Sequence, residues 1–343
     1  MKSSKEVTIY DIAKKLNLAT STISRGLKDH PTIGKKTIQK IKKTANEMGY
    51  RPNNLAASLR GNKMKTIGVL LPSITPFLSS LISGIEVAAQ KAGYTVLIMQ
   101  SYDSYEQEVN LTQSLYDNRV SGVICSLALQ TKNTDHFKIF TNNGTALVFV
   151  DRVPNEFDTF HVIIDNYSAG YKATNHLISQ GCKRIAYITV GLEFSVYRER
   201  KEGYLAALKE HSLPIEDELI VRTDSIKYDD AEKACIKLLQ SKNPPDAIFA
   251  PGDTIGVSAI QTAKKLGIKV PEELAVIGFN NDPISSIIEP NLSTVTHPAF
   301  EMGQTSAEVI LKNIKGSKRK NELVKQITYL NTEILVRASS KRK

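Results

Sequence analysis

The start of the chain spaces its apolar residues as short helices do. Thr8 and Asp11 form a capping-box pattern that predicts the start of a first helix, and a turn follows at 17–18. A second short helix is predicted over 20–27, directly after this turn. A third is predicted over 35–48, with its lysines facing outward. Two short helices joined by so tight a turn are typical of a helix-turn-helix.

From Lys65 onward, short apolar runs with strand character alternate with amphipathic helical segments. This alternation is typical of parallel sheets with helices on both faces, and it occurs twice, so two doubly wound subdomains are predicted. The first set has strands at 66–71, 95–99, 120–126 and 145–150, with helices at 76–92 and 105–117. The second has strands at 185–189, 219–222, 247–250 and 274–278, helices at 169–180, 200–211, 229–240 and 254–266, and a last strand at 326–337.

The length and composition of the chain restrict the class of protein. Its 343 residues exceed one ordinary domain, so we expect two or three. No apolar run approaches the roughly eighteen residues that span a bilayer. The first residues lack the continuous apolar stretch of a secretory signal, so we expect a cytoplasmic protein. Cys125, Cys182 and Cys235 include no CxxC pair and are expected to be reduced structural thiols.

The net charge of +10 is concentrated at one end of the chain. Residues 1–65 contain 15 Lys and Arg against 4 Asp and Glu, whereas the remaining residues contain 30 against 31. A basic segment beside a near-neutral body is typical of a module that binds phosphates. The alternative at this point is a solvated, lysine-rich arm.

Motifs for enzymatic chemistry are missing from the sequence. GxSxG, HExxH and a Walker loop do not occur, and no GxGxxG follows the first strand. We therefore expect no catalytic residue, no metal site and no cofactor. Asp103, Glu106 and Glu108 form an acidic stretch at a helix start, and we interpret it as a solvated face favoured by the helix dipole.

Three segments of the chain, VTIYDIAKKLNLATSTISRGL, MGYRPNNLAASLRG and TIGVLLP, resemble the LacI family of bacterial repressors. The resemblance extends over nearly the whole chain. It implies an all-α helix-turn-helix headpiece over 1–51, a hinge helix and linker over 52–64, and an effector-binding core over 65–343. The core is implied to be a periplasmic-binding-protein-like α/β fold with its ligand in the cleft between two doubly wound parallel-sheet subdomains.

The resemblance also implies where the core subdomains begin and end. In such a core the chain crosses between the subdomains three times, here near Asp165, Asn291 and Lys325. The implied N-subdomain covers about 65–164 and 293–325, and the implied C-subdomain covers about 165–292 and 326–340.

The second helix is implied by the resemblance to lie in the major groove of DNA. Thr20, Ser21 and Arg25 are the positions implied to read bases, and Arg25 is the strongest candidate because its guanidinium can bond a guanine edge at two atoms. The alternative for Arg25 is a phosphate contact only. Other residues are expected to hold the phosphate backbone, which fixes register without reading sequence. These residues are Thr8, Tyr10, Thr22, Ser24, Thr37 and Asn53.

Residues 52–61 resemble the family's hinge helix, which is too short to be stable alone in water. We expect it to fold only on DNA, where Leu59 enters the minor groove and opens a base step. Ala56 and Ala57 keep that approach close. The alternative is an ordinary flexible linker in which Leu59 is a spare apolar residue.

Two positions depart from the family pattern in the second helix. Ala19 stands where a serine usually caps the helix, and we expect Thr20 to cap it instead. Gly26 replaces a larger apolar residue, which should weaken the helix by about 1 kcal/mol relative to alanine and let the backbone sit closer to DNA.

The candidate effector residues follow the predicted strands of the core, because open parallel sheets bind ligands beyond the carboxyl ends of their strands. Asp253 is equally a candidate helix N-cap, and Asp151 with Arg152 is a candidate ion pair. The resemblance adds that Asp151, Arg200 and Asn280 often touch a sugar or nucleobase, although Asn280 replaces the usual aspartate. The full set of candidate effector contacts is Ser73, Phe77, Asp151, Arg200, Asp253 and Asn280.

Together these features predict a dimeric transcriptional repressor whose affinity for DNA is controlled by a small polar effector. Its expected partners are a pseudo-palindromic operator, a second copy of the chain, and a sugar or sugar phosphate, with a nucleobase as the second choice. Whether the effector weakens or strengthens operator binding stays open. A transport-type sugar-binding protein and a sequence-neutral DNA binder are the competing classes. The basic end, 341–343, is expected to be disordered.

Overall fold

A computed structural model of the chain describes residues 7–50, 65–190, 194–223, 225–315 and 326–342. The chain divides into two compact units, Met1–Met64 and Lys65–Lys343. The predicted hinge residues Asn53, Ala56 and Leu59 lie outside the described residues.

The described part of the first unit consists of three helices around one small core. They are α1 (Ile9–Leu16), α2 (Thr20–Leu27) and α3 (Lys35–Glu47). The backbone N–H of Thr8 donates to Asp11 at 2.8 Å, so the predicted capping box opens α1. Ile12, Ala13, Ile23, Ile41 and Ala45 are buried together.

The second unit alternates strands and helices along the chain, as predicted. Its first part contains β1 (Thr66–Leu71), α4 (Pro76–Lys91), β2 (Thr95–Gln100), α5 (Tyr105–Asp117), β3 (Gly122–Cys125), α6 (Lys138–Asn142), β4 (Ala146–Val150) and β5 (Phe160–Ile164). There follow α7 (Asn166–Ser179), β6 (Ile185–Thr189), α8 (Ser195–Glu210), β7 (Ile220–Arg222), α9 (Tyr228–Leu239), β8 (Ala247–Phe249), α10 (Asp253–Lys265), β9 (Ala275–Asn280), α11 (Ile284–Ile287) and β10 (Ser293–Thr296). The chain ends with α12 (Ala299–Lys315), β11 (Gln326–Leu330) and β12 (Ile334–Leu335).

These strands form two separate sheets, and within the described residues each sheet has six strands. The order is β11-β5-β4-β3-β1-β2 in the first sheet, which with its helices we call the first lobe. The order is β12-β10-β9-β8-β6-β7 in the second sheet, which belongs to the second lobe. All pairs are parallel except β10 with β12. The central strands of both sheets are almost fully buried and apolar, as expected where helices cover both faces, whereas the edge strands β2, β7, β11 and β12 are partly exposed.

Each lobe contains a helix pair that packs at glycine contacts. In the second lobe, a side chain at Gly170 of α7 would collide with the backbone of Arg200 in α8. In the first lobe, a side chain at Gly84 of α4 would collide with the backbone of Phe300 in α12. Such close approach fixes the helix spacing and leaves no room for a side chain at either glycine.

The last part of the chain differs from the sequence prediction. β5, β10 and the long helix α12 were not predicted, and the single strand expected at 326–337 is two strands in different sheets. β10 lies in the second sheet although 293–325 was expected in the first subdomain, and β11 lies in the first sheet although 326–340 was expected in the second. The crossings therefore fall after β10 and between β11 and β12. The short polar sequence of β10, STVT, carries no apolar run that could have shown its place.

The C-terminal residues are built into the second lobe. Ser339 is fully buried, and its backbone bonds to Val276 and Asn291. The guanidinium of Arg342 donates to the backbone oxygens of Asp246 at 2.6 Å and Pro271 at 2.9 Å. The expectation that 341–343 is disordered is therefore wrong for Arg342, because backbone carbonyls far away in sequence bind its side chain. Lys343 lies outside the described residues.

Candidate functional site

The outward face of α2 carries the residues predicted to read bases. Ser21 and Arg25 are exposed and Thr20 is half-buried, whereas Ile23 and Gly26 on the other face are buried. This division follows from helical spacing, because positions four apart share a face. α2 therefore presents a short polar surface that ends in one arginine.

The residues predicted to hold phosphates lie around α2 with different degrees of exposure. Tyr10 is 68% exposed at the start of α1. The hydroxyl of Thr8 donates to Asp11 at 2.6 Å, so the capping box already uses it. Thr22, Ser24 and Thr37 are half-buried. Asn53 belongs to the segment outside the described residues.

Two expectations about α2 are wrong. Ala19, not Thr20, occupies the N-cap of α2, and no side chain caps this end. Gly26 faces the core and not the outer surface, because a methyl group there would collide with the Cδ1 atom of Ile41. Glycine at this position lets α2 pack closely on α3. The structure thus explains this glycine by the packing of α2 on α3.

The six candidate effector residues lie together between the two lobes. They line one cleft of about 110 Å³ at the carboxyl ends of β1, β4, β8 and β9 and the start of α8. Ser73, Phe77 and Asp151 come from the first lobe, whereas Arg200, Asp253 and Asn280 come from the second. A ligand in this cleft would therefore contact both lobes at once.

Arg200 is the more deeply buried of the two cations that line the cleft. Its Nε donates to Asn166 Oδ1 at 2.9 Å, and its Nη1 donates to the carbonyl oxygen of Pro251 at 3.0 Å. The guanidinium lies 3.5 Å above the ring of Phe279, where a cation is attracted to the aromatic face. Burial lowers the pKa of Arg200, and the negative charge of Asp151 opposes that shift. These contacts hold a positive charge at one fixed place.

Asp151 follows β4 with a left-handed backbone, at φ 56°. Burial raises the pKa of its carboxyl group, and the positive charges of Arg152 and Arg200 oppose that shift. The ion pair with Arg152, the alternative interpretation of Asp151, is not formed. Arg152 instead donates to Asp103 at 2.5 Å, which leaves Asp151 facing the cleft.

In the acidic stretch at the start of α5, Glu106 is exposed as predicted, whereas Asp103 and Glu108 are bound by other parts of the protein. Asp103 binds Arg152, and Glu108 is fully buried. Glu108 accepts hydrogen bonds from the backbone of Ala128 at 2.6 Å and from the hydroxyl of Thr131 at 2.9 Å. These partners lie at least 20 residues away in sequence, so the helix-start pattern could not reveal them.

Asp253 turns its carboxylate into the second lobe. One oxygen accepts the backbone N–H of Asp282 at 2.6 Å, and the other accepts the hydroxyl of Thr294 at 2.7 Å. Burial raises the pKa of Asp253 to about 7. The residue is the first of α10 and Gly252 occupies the N-cap, so Asp253 is not the cap. It joins α10 to β9 and β10 beneath the cleft.

His297 lines a neighbouring cavity of about 500 Å³, which shares Phe77 and Asn280 with the cleft, and was missed by the sequence reasoning. It follows β10, its ring stacks on Phe77 at 4.2 Å, and its Nδ1 lies 3.3 Å from Asn280 Oδ1. Burial and the charge of Arg200 lower its pKa well below the usual value, so the ring is neutral. The strand that places it was not predicted, and a histidine followed by a proline was the only signal available.

A larger concavity, of about 1730 Å³, lies over the loops that follow β3 and β4. Its lining includes Leu127, Gln130, Asn133 and Phe157, and none of the six candidate residues. The lining of the smaller cleft includes the buried charged residues Arg152, Arg200, Asp253 and Asp282, so this cleft is the better candidate for specific recognition.

Membrane-spanning helices and groups of metal ligands are both absent from the described residues. None of their helices is both long enough and apolar enough to cross a membrane. Within the same residues, no three His, Cys, Asp or Glu side chains are grouped as metal ligands.

Two protein-family models match the chain. Residues 8–53 match bacterial regulatory proteins of the lacI family, and residues 174–340 match a periplasmic binding protein-like domain. The first match covers the three helices of the first unit, and the second covers most of the second lobe.

Individual relatives match over nearly their full length. The NTD biosynthesis operon regulator NtdR of Bacillus subtilis is 33% identical over 97% of this chain and 99% of its own. The transcriptional repressor CytR of Escherichia coli is 31% identical over 92% of this chain and 93% of its own. Among solved structures, the complex of the regulator CelR with cellobiose matches with a TM-score of 0.71 and 26% identity, covering 97% of this chain and 100% of its own.

Proposed function

This chain belongs to the lacI family of bacterial regulatory proteins, and we propose that it is a repressor whose hold on its operator is set by a sugar-like effector in the cleft between the lobes. It is a DNA-binding transcriptional regulator with a ligand-binding core. The repressor role is supported by the similarity to CytR, and the sugar-like effector is supported by the similarity to the CelR complex with cellobiose.

On the DNA side, the proposal rests on the exposed face of α2 and the charge of its surroundings. Arg25 is exposed at the end of a helix whose other face is buried. The unit that presents it contains most of the excess positive charge of the chain. Positive charge supplies affinity for any DNA, whereas an arginine at a base edge supplies sequence preference.

On the effector side, the proposal rests on the cleft that both lobes line. A ligand that fits one arrangement of the lobes better than another shifts the protein between them by that difference in affinity. Asp151, Arg200 and Asn280 offer the hydrogen bonds of such a ligand, and Phe77 offers an aromatic wall. We propose that this shift reaches the operator through residues 52–64.

We further propose that the protein acts as a twofold dimer in the cytoplasm. Its operator would be pseudo-palindromic, because a twofold dimer presents two copies of α2 to two half-sites. The cytoplasmic site follows from the DNA partner and not from the fold.

The test is selection of bound duplexes from a random pool by the full-length protein, repeated with Arg25→Ala. The proposal expects a palindromic sequence for the wild type and, for the variant, loss of preference at the base position that Arg25 contacts in both half-sites. Lys237→Ala, on the exposed face of α9, is the matched control and should select the wild-type sequence. Binding that depends on salt but not on sequence would contradict the proposal and favour a sequence-neutral DNA binder.

A further inference from the structure

The cavity of about 500 Å³ beside the cleft is lined by residues of both lobes. Phe77 of α4 and Phe300 of α12 come from the first lobe, whereas Asn280 and Asp282, at the end of β9 and in the loop after it, come from the second. Phe77, Asn280 and Asp282 also line the cleft, so the two spaces adjoin. A ligand in this cavity would therefore contact both lobes, as a ligand in the cleft would.

Asp282 is an almost buried acid whose charge has no partner. The residue is 9% exposed, and within the described part of the chain no hydrogen bond or ion pair reaches its carboxylate. Its backbone is fixed, because its N–H donates to Asp253 at 2.6 Å and its carbonyl oxygen accepts the hydroxyl of Ser285 at 2.7 Å. Burial raises the pKa of the Asp282 carboxyl to about 6, and no cation opposes that shift. A buried charge without a partner is costly, so a cation that reaches this carboxylate gains affinity.

The surroundings of this carboxylate are acidic or neutral. Glu301 lines the same cavity, and the described lining contains no lysine or arginine. Burial lowers the pKa of His297 well below its usual value, so this ring is neutral. The guanidinium of Arg337 is near the loop but donates to the side chain of Asn281 at 2.8 Å. The charge of the cavity therefore favours a cation over an anion.

The walls of the cavity indicate an organic cation. Phe77 and His297 are stacked with their ring centres 4.2 Å apart, and Phe300 adds a ring that is 42% exposed and so open to a ligand. An ammonium group is attracted to the face of an aromatic ring, and its carbon substituents pack on apolar walls. A metal ion would need a group of acidic or histidine ligands, and the described residues contain no group of three. Further apolar surface comes from Pro76, Pro283 and Pro298.

We propose that the cavity beside the cleft is a second ligand site, in which the carboxylate of Asp282 pairs with the ammonium group of a small organic cation and the ring of Phe300 lies against it. The proposed repressor role does not require this site. Because both lobes line the cavity, a cation that fits one arrangement of the lobes better than another would change the affinity of the adjoining cleft for its own ligand.

The binding test uses the full-length protein and two ammonium ions, choline and cyclohexylammonium. Each is compared with a neutral compound of the same shape, 3,3-dimethylbutan-1-ol for choline and cyclohexanol for cyclohexylammonium. Saturation-transfer NMR titrations at about pH 7.5, where Asp282 is charged, measure the affinities. At least one ion should bind with a dissociation constant of about 1 mM or below, and about tenfold or more tightly than its neutral counterpart. Binding of neither ion, or equal binding of the ions and their counterparts, would overturn the proposal.

Two variants locate the bound cation. Asp282→Asn retains the shape of the side chain without its charge, and should weaken binding of the ion about tenfold or more while leaving the neutral compound unaffected. Phe300→Leu retains an apolar side chain without an aromatic face, and should weaken binding of the ion about threefold. Asp229→Asn removes an exposed carboxylate of α9 that lines neither cavity, and this matched control should bind like the wild type. Unchanged affinity for the ion in Asp282→Asn would show that the cation binds elsewhere, which refutes the proposal.

A measurement without any ligand tests whether the charge of Asp282 lacks a partner. The pKa of its carboxyl is raised from 3.8 to about 6, so the folded state holds this proton longer than the unfolded state does. The wild type therefore loses stability at this residue as the pH rises through that range. Asp282→Asn cannot ionise, and should unfold at a higher temperature than the wild type at about pH 7.5 and lose this advantage as the pH falls toward about 4. The neighbouring acids Asp253 and Glu301 are the same in both proteins. A variant that unfolds at or below the wild-type temperature at about pH 7.5 would show that the carboxylate already has a partner, and the proposal would fail.

Discussion

Gly26 is buried on the inner face of α2, where a methyl group would collide with the Cδ1 atom of Ile41. The other Ile41 atoms nearest to that methyl group lie 3.6 Å away, which is ordinary contact. A glycine inside a helix costs about 1 kcal/mol relative to alanine. The headpiece therefore accepts a weaker α2 in order to pack it closely on α3.

This packing predicts an effect whose sign depends on residue 41. Gly26→Ala should destabilise α2 in the wild type, because the new Cβ meets Cδ1 of Ile41. In an Ile41→Val background, which lacks Cδ1, the same change should stabilise α2 by about 1 kcal/mol through helix propensity. Amide hydrogen exchange of α2 in the full-length protein measures both effects. A change of the same sign in the two backgrounds would show that Cδ1 is not the obstacle.

The single residues that sequence reasoning misjudged are mostly buried polar groups. Glu108 looked like an exposed acid at a helix start, and His297 gave no signal at all. Each takes its role from partners far along the chain, such as Thr131 for Glu108 and Asp151 for His297. By contrast, the six effector candidates line one cleft as the principle behind their prediction implies, because parallel strands present the residues after their carboxyl ends at one edge.

At the scale of elements, strongly periodic segments were predicted and short polar ones were not. α1, α2 and α3 and most strands of both sheets were predicted close to their observed positions. β10 is only four residues of Ser, Thr and Val, and β12 only two, so no apolar period marks them. β10 pairs with the open edge of β9, and β12 then pairs with β10. These strands therefore form because of tertiary contacts and not because of their own sequence pattern.

The pairing of α7 with α8 predicts the consequence of one added methyl group. Gly170→Ala would bring its Cβ to 2.8 Å from Cα of Arg200, and neither helix backbone can give way without moving the other. We expect a loss of about 1–3 kcal/mol in the unfolding free energy of the second unit, together with weaker effector binding because Arg200 is displaced. Thermal unfolding and sugar titration measure the two effects.

The control for this change is Lys172→Ala, an exposed position on the same helix. It should leave the unfolding temperature within error of the wild type. If Gly170→Ala unfolded like this control, the close approach of α7 and α8 would be refuted.

At the scale of the whole molecule, the excess positive charge and the candidate ligand cleft lie in different units. We expect the basic first unit to supply the contacts with phosphates, and the near-neutral second unit contains the cleft. Sequence reasoning predicted this division because charge and element length both change at Lys65. It could not predict where the end of the chain crosses between the two lobes, because those positions depend on which sheet edge each of the last strands pairs with.

This division predicts how salt acts on operator binding. Lys36 is exposed at the start of α3, beside the candidate phosphate contact Thr37. Lys36→Ala should weaken binding to operator and random DNA equally and should reduce the slope of log affinity against log salt by about 1. Fluorescence anisotropy at several salt concentrations measures the slope. Lys237→Ala should not alter it, and a change in sequence preference by Lys36→Ala would contradict the assignment.

The placement of β11 and β12 has a consequence for synthesis on the ribosome. The headpiece helices end before residue 50, whereas the first sheet obtains its edge strand only from residue 326 onward. At a translation rate of about 5–20 residues per second, the 276 residues between these positions take roughly 15 to 55 seconds. Each nascent chain thus contains the three helices of the first unit well before either sheet of the second unit receives its last strand. During that interval the headpiece is made ahead of the part that controls it.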